Sequence, residues 1–170
     1  MNRLLGVLGA LGALCLVGCG GTDSGGSINR VDITVDGATS RWVSMWGFGR
    51  LCATTTYCAS WSAPSSDGTR SVFTLGLPSD VATGKSYTSA SSGVDAIYTD
   101  AAGVKYVMRS NRTFAISVTK WPGWGFTQTG VASGVLERED DPTKTITITN
   151  ATWQGYMYLK SDRSAQPCPK

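Results

Sequence analysis

Apolar and polar residues alternate one by one along most of this chain from residue 31 onward. Val31, Ile33 and Val35 would face one side of an extended strand, and Asp32 and Thr34 would face the other. A period of two is typical of a β-strand that is buried on one face. Similar runs recur at 41–49, 70–77, 94–99, 104–109, 114–120, 125–138 and 144–159. The pattern restricts the chain to folds built from many short strands.

The segments between these runs have the composition of turns. Residues 66–68, 100–103 and 140–142 contain the Asp, Gly and Pro residues that reverse chain direction. Residues 94–108 predict a hairpin whose turn is 100–103, and residues 79–82 predict at most one short helical turn. We therefore predict a single all-β domain over residues 28–170: an antiparallel β-sandwich, with a small β-barrel as the alternative.

The first eighteen residues have a different character from the rest of the chain. Arg3 is followed by an uncharged, apolar stretch from Leu4 to Val17. This stretch suits the core of an export signal and is too short for a membrane-spanning helix, which needs about 20 residues. It ends in Leu16-Val17-Gly18-Cys19, which resembles the lipobox of bacterial lipoproteins. The resemblance covers this segment alone.

The lipobox resemblance implies a processing route and a location. Residues 1–18 would be removed as a signal peptide, and the sulfur of Cys19 would carry a diacylglycerol group, usually with a further fatty acyl chain on the new amino group. The membrane is then a partner through this lipid, because two or more acyl chains anchor a protein stably. Gly20 resembles the pattern of outer-membrane sorting, and the Gly/Ser-rich residues 19–27 predict a flexible tether.

Charge argues against one large class of partners. Arg3 is the one charged residue of the signal peptide, so 14 of the 15 basic residues remain beside 12 acidic residues. A nearly neutral surface argues against nucleic-acid binding. We predict no cofactor and no metal.

Three cysteines remain after Cys19 is assigned to lipid. Cys52 and Cys58 could form a disulfide bond if the chain turns between them, because extended chain would hold them about 20 Å apart. Cys168 could instead pair with either one and attach the C-terminal tail to the domain. The first pairing is slightly favoured, and the alternatives stay open.

The inventory of catalytic residues is sparse. The chain contains no histidine, which removes the usual base of serine and cysteine nucleophiles. Ser117 and Lys120 match the Ser-x-x-Lys spacing of penicillin-binding enzymes, but that pairing requires a helix and this segment alternates like a strand. We therefore predict that the protein is not an enzyme.

An acidic run offers an alternative function. Glu137, Asp140 and Asp141 could supply paired carboxylates to an envelope hydrolase that acts on glycans, or oxygen ligands to calcium. The favoured interpretation is a charged strand end and hairpin turn that protects a sheet edge.

The segment 121–126 places Trp121, Trp124 and Phe126 around one proline and two glycines. The favoured interpretation is that these rings plug the end of the core. The alternative is a stacking surface, with Trp121 and Trp124 binding a glycan or an envelope protein. Because the segment turns sharply, both tryptophans cannot follow strand alternation into one core face, and at least one should be exposed. The remaining tryptophans fall in strand patterns and are predicted to be core or sheet-face residues: Trp42, Trp46, Trp61 and Trp153.

Together these features predict a lipid-anchored envelope lipoprotein. Its β domain would be a non-enzymatic binding or structural domain, and the outer membrane is the predicted location.

Overall fold

The computed structural model describes residues 29–49, 57–63 and 70–157. Within these ranges the chain forms β-strands joined by turns and loops, and it contains no helix. The ten strands of this part of the chain are β1 (Arg30–Val35), β2 (Ala38–Gly49), β3 (Tyr57–Ser62), β4 (Val72–Leu77), β5 (Ser86–Thr88), β6 (Asp95–Thr99), β7 (Lys105–Val107), β8 (Phe114–Lys120), β9 (Thr127–Arg138) and β10 (Thr145–Tyr156).

The strands form a closed antiparallel barrel. The pairing runs β10-β1-β2-β3-β4-β6-β7-β9, and β9 pairs again with β10, which closes a ring of eight strands among the described residues. The all-β prediction is confirmed. The β-sandwich was the wrong choice of architecture, and the barrel named as its alternative is the observed one.

The sheet closes because the long strands β9 and β10 pair with each other as well as with other strands. β9 pairs along one edge with β10, while its other edge is divided between β8, which pairs with residues 129–134, and β7, which pairs with Glu137 and Arg138. β1 lies between β10 and β2. Every strand of the ring therefore has a paired strand on both sides. β8 pairs with β9, and β5 pairs with β8, as two additional strands outside the ring.

The core fills the inside of the barrel with large side chains. Val31 lies opposite Trp42 in one neighbouring strand and Trp153 in the other, and all three are buried. Trp61 lies opposite Phe73, with the ring centroids 6.2 Å apart. Of the tryptophans predicted for the core or a sheet face, Trp42, Trp61 and Trp153 lie in the core, whereas the side chain of Trp46 lies outside the described part.

The predicted hairpin of residues 94–108 is confirmed. β6 and β7 pair on either side of the turn at 100–103. The Oδ1 atom of Asp100 accepts hydrogen bonds of 2.9 Å from the backbone N–H groups of Ala102 and Val104. Asp therefore begins this turn because its side chain replaces hydrogen bonds that the backbone would otherwise lack.

The barrel has two distinct ends. At the entry end, Asn29 precedes β1. β2 ends and β3 begins at this end, and Gly49 of β2 lies opposite Cys58 of β3. At the turn end lie the tight turn between β1 and β2, the turn at 100–103 and the connection from β9 to β10. β8 ends, β9 begins and β10 ends at the entry end.

Several predictions concern residues outside the described ranges. These are the signal peptide at 1–18, the lipid on Cys19, the tether at 19–27 and the cysteines at 52 and 168. Cys58 lies in β3, and its pairing with Cys52 or Cys168 stays a prediction.

Candidate functional site

The loop that joins β8 to β9 carries the largest exposed apolar side chains of the described chain. We call residues 121–126 the aromatic loop. Phe126 is 58% exposed and Trp124 is 42% exposed, whereas Trp121 is half-buried and packs against the core. The loop lies at the entry end of the barrel, where rings on its outer side face solvent.

Hydrogen bonds to two neighbouring segments fix the position of this loop. The Gly125 N–H donates to the Met157 carbonyl at 2.8 Å, and the Met157 N–H donates to the Phe126 carbonyl at 3.0 Å. On the other side, the Trp121 N–H donates to Oγ1 of Thr83 at 2.7 Å. The loop is therefore attached to the end of β10 and to the connection between β4 and β5.

A buried glutamine supports the loop from below. The Gln128 side chain is fully buried, and its Nε2 donates to the carbonyls of Gly123 at 2.6 Å and Phe126 at 3.0 Å. Gly123 and Gly125 have φ angles of 97° and 80°, which are readily adopted only by glycine. These contacts hold the exposed rings on a pre-arranged backbone.

Tyr57 extends the aromatic surface across to β3. Its ring centroid lies 5.5 Å from that of Trp121 and 6.1 Å from that of Trp124, the second pair edge to face. Tyr57 and Trp121 pack against the core. Aromatic pairs at these distances attract each other beyond simple burial.

The two tryptophans predicted as a site are therefore brought together but differ in burial. Trp121 packs against the core, as the favoured interpretation predicted. Trp124 is exposed, as the alternative interpretation predicted. Sequence reasoning counted Phe126 among the rings of this segment without naming it as a site residue, and it gave no role to Tyr57. Phe126 carries a signal in the sequence, since it follows Gly125 in the same loop, whereas Tyr57 lies far away along the chain.

The Ser-x-x-Lys match lies on a strand, as predicted. Ser117 and Lys120 belong to β8, and Oγ of Ser117 forms a hydrogen bond of 3.0 Å with Oγ of Ser86 in β5. The helical turn that brings such a lysine onto its serine is absent from this segment.

The three acidic residues considered for hydrolysis each have a separate partner. Oδ1 of Asp140 lies 2.6 Å from Nε of Arg138, and this hydrogen bond holds the pKa of Asp140 below its ordinary value. Thr143 donates to Asp141 at 2.6 Å, which lowers the pKa of Asp141. These two residues lie in the predicted hairpin turn between β9 and β10.

Glu137 does not belong to the solvated turn that the sequence suggested. It is buried on the outer wall of the barrel, and its Oε1 accepts hydrogen bonds from Arg112 Nε at 2.5 Å and Asn111 Nδ2 at 3.3 Å. Arg112 and Asn111 belong to the connection between β7 and β8, which both pair with β9. The carboxylate of Glu137 therefore forms a structural ion pair and does not lie on a solvated turn.

The described ranges contain no group of three or more His, Cys, Asp and Glu residues arranged to hold a metal ion. Nor does this part of the chain form any helix long and apolar enough to cross a membrane. No protein-family model, curated protein or solved structure matches the chain.

Proposed function

We propose that this protein is a lipid-anchored, non-enzymatic lipoprotein of the bacterial envelope whose aromatic loop is a contact surface. The observation that carries the proposal is the exposure of Trp124 and Phe126 on a loop fixed by hydrogen bonds. Trp and Tyr are frequent anchors of recognition surfaces, and pre-arranged loops lose little conformational entropy on binding.

The proposed anchor rests on the lipobox resemblance at Cys19. Substitution Cys19→Ala should abolish incorporation of a fatty-acid probe and leave uncleaved precursor, because the thioether forms before the signal peptide is removed. Undiminished labelling of this variant would contradict the anchor.

The proposed contact surface is tested by binding. Glycan arrays and envelope pull-downs with the mature protein should be repeated with Trp124→Ala and with Val131→Ala, which shortens a 37% exposed residue on the wall of the barrel. Loss of capture in the first variant alone would support a glycan or protein partner at the loop. Equal capture by both would remove the loop from the site.

A further inference from the structure

Exposed apolar side chains are not spread evenly over the described surface. The four large ones are Val43 at 48%, Val131 at 37%, Trp124 at 42% and Phe126 at 58%. The two valines stand singly on the barrel wall, in β2 and β9. The two aromatic rings project from the aromatic loop, so the exposed apolar surface is concentrated at the entry end of the barrel.

The chain enters the domain beside this loop. The Oδ1 atom of Asn29 accepts a hydrogen bond from the backbone N–H of Tyr156. The next residue, Met157, forms both backbone hydrogen bonds to Gly125 and Phe126. The contact made by Asn29 and the attachment point of the aromatic loop therefore lie on two consecutive residues, Tyr156 and Met157.

The length of chain before Asn29 limits how far the entry end can move from an anchor at Cys19. Nine residues, 20–28, lie between the two positions, so the chain takes ten residue steps from Cys19 to Asn29. Ten steps reach about 33 Å when fully extended, and a flexible Gly/Ser-rich chain of this length spans about 17 Å on average. A lipid on Cys19 would thus hold the entry end, and the aromatic loop with it, close to the membrane surface.

The distribution of charge also favours contact between the entry end and the membrane. Among the described residues, the entry end carries Asp80 in the loop 78–85, 2.8 Å from Lys85, and Asp95 at the start of β6; the aromatic loop contains no acidic residue. Lys120 precedes the aromatic loop and is exposed. The turn end carries five acidic residues, Asp36, Asp100, Glu139, Asp140 and Asp141, and the last three are paired with Lys105, Arg138 and Lys144. The acidic residues outnumber these three cations, so anionic headgroups would be attracted to the entry end more than to the turn end.

We infer that the aromatic loop inserts Trp124 and Phe126 into the lipid surface that holds the anchor of Cys19. Trp is enriched where membrane meets water because its ring is apolar and its N–H is polar, and Phe buries itself in the acyl boundary. The inference rests on the proposed lipid anchor. The loop would be a second attachment that fixes the orientation of the barrel, with its turn end directed away from the bilayer.

Fluorescence quenching in vesicles tests the insertion directly. The mature lipidated protein is reconstituted into vesicles of phosphatidylethanolamine and phosphatidylglycerol, with or without bromine on the acyl chains. Trp124→Phe keeps an apolar ring but removes the fluorophore, so the difference from wild type reports Trp124 alone. We expect this component to emit at shorter wavelength in vesicles than in detergent-free buffer and to lose intensity on brominated lipid.

Matched variants separate insertion from general loss of structure. Phe126→Ser should reduce quenching of Trp124, whereas Val43→Ser and Val131→Ser, which remove exposed apolar groups from the wall, should leave it unchanged. Near-ultraviolet circular dichroism of each variant verifies that the core is intact. Quenching reduced equally by all three substitutions would overturn the inference.

The anchor and the insertion can fail separately. Mass spectrometry of the N-terminal peptide shows whether Cys19 carries lipid. Lipid on Cys19 with solvent-like, unquenched Trp124 emission overturns insertion and leaves the anchor standing. Absence of lipid overturns the anchor, and the inference with it. Capture of a glycan or protein by the loop, with Trp124 unquenched in vesicles, would assign this surface to that partner and contradict insertion.

Discussion

The indole ring of Trp153 lies directly against the backbone of Gly130, its partner across the β9–β10 pair. A Cβ atom at Gly130 would lie 2.2 Å from Cζ2 of Trp153 and 2.4 Å from the carbonyl oxygen of Ser117. Gly130 is thus required by close packing of a fully buried ring within the longest strand pair of the barrel.

Gly130→Ala should destabilise the domain by about 1–3 kcal/mol, because an added methyl group must displace a ring that has no free space. The control is Val131→Ala, on the outer face of the same strand. Urea denaturation measures both, and a change at Gly130 no larger than that at Val131 would contradict the packing.

Arg112→Ala should lower the free energy of unfolding by about 1–3 kcal/mol, because it leaves the buried carboxylate of Glu137 without its cation. Glu137→Gln in the Arg112→Ala background should restore part of this loss, since the uncompensated charge is gone. Thermal and urea denaturation of the two single variants and the double variant form a complete cycle. Strictly additive losses would argue against the pair.

Asp95 should make stability depend on pH in the acidic range. Burial raises the pKa of Asp95 above the ordinary value of 3.8, so the folded state binds a proton more tightly than the unfolded chain. Its ionised form therefore destabilises the fold at neutral pH, and this penalty disappears as the pH falls below 3.8. Asp95→Asn should raise the melting temperature slightly at pH 7 and have no advantage in strong acid. A difference that is constant with pH would contradict this.

The two tryptophans of the aromatic loop should respond differently to truncation. Trp121→Ala should destabilise the domain by about 2 kcal/mol, roughly half the effect of removing a fully buried ring, because Trp121 is half-buried beside Tyr57. Trp124→Ala should cost less than about 1 kcal/mol, as expected for a surface position. Melting temperatures of both variants test this prediction. A larger decrease for Trp124→Ala than for Trp121→Ala would show that Trp124 is the ring that stabilises the core.

Local patterns predicted the strands well where alternation was long. β8 was predicted and found at Phe114–Lys120, and β6 differs from its prediction by one residue at the start. β3 was missed because Cys58, Ser60 and Ser62 give little contrast with their apolar neighbours. β5 has three residues around a single buried Tyr87, which is too short to display a period.

The features that sequence reasoning missed depend on contacts between distant residues. Closure of the barrel requires β1 to pair with β10, and alternation does not specify a strand's partner. Glu137 follows buried Leu136 in the alternation, yet it is itself buried, and it contacts Arg112 and Asn111 in the connection between β7 and β8. The exposure of Trp124 likewise depends on attachments to Thr83 and Met157, which lie outside the loop.

The pairing of the first described strand with the last has a consequence for how this chain acquires its fold. β1 occupies the gap between β2 and β10, so one of its edges stays unpaired until nearly the whole domain has emerged. Contacts across such long sequence separations slow folding, because the entropy of loop closure precedes any gain from burial. A nascent chain truncated before β10 should therefore remain open, with Val31 and Ile33 exposed and prone to aggregation or chaperone capture.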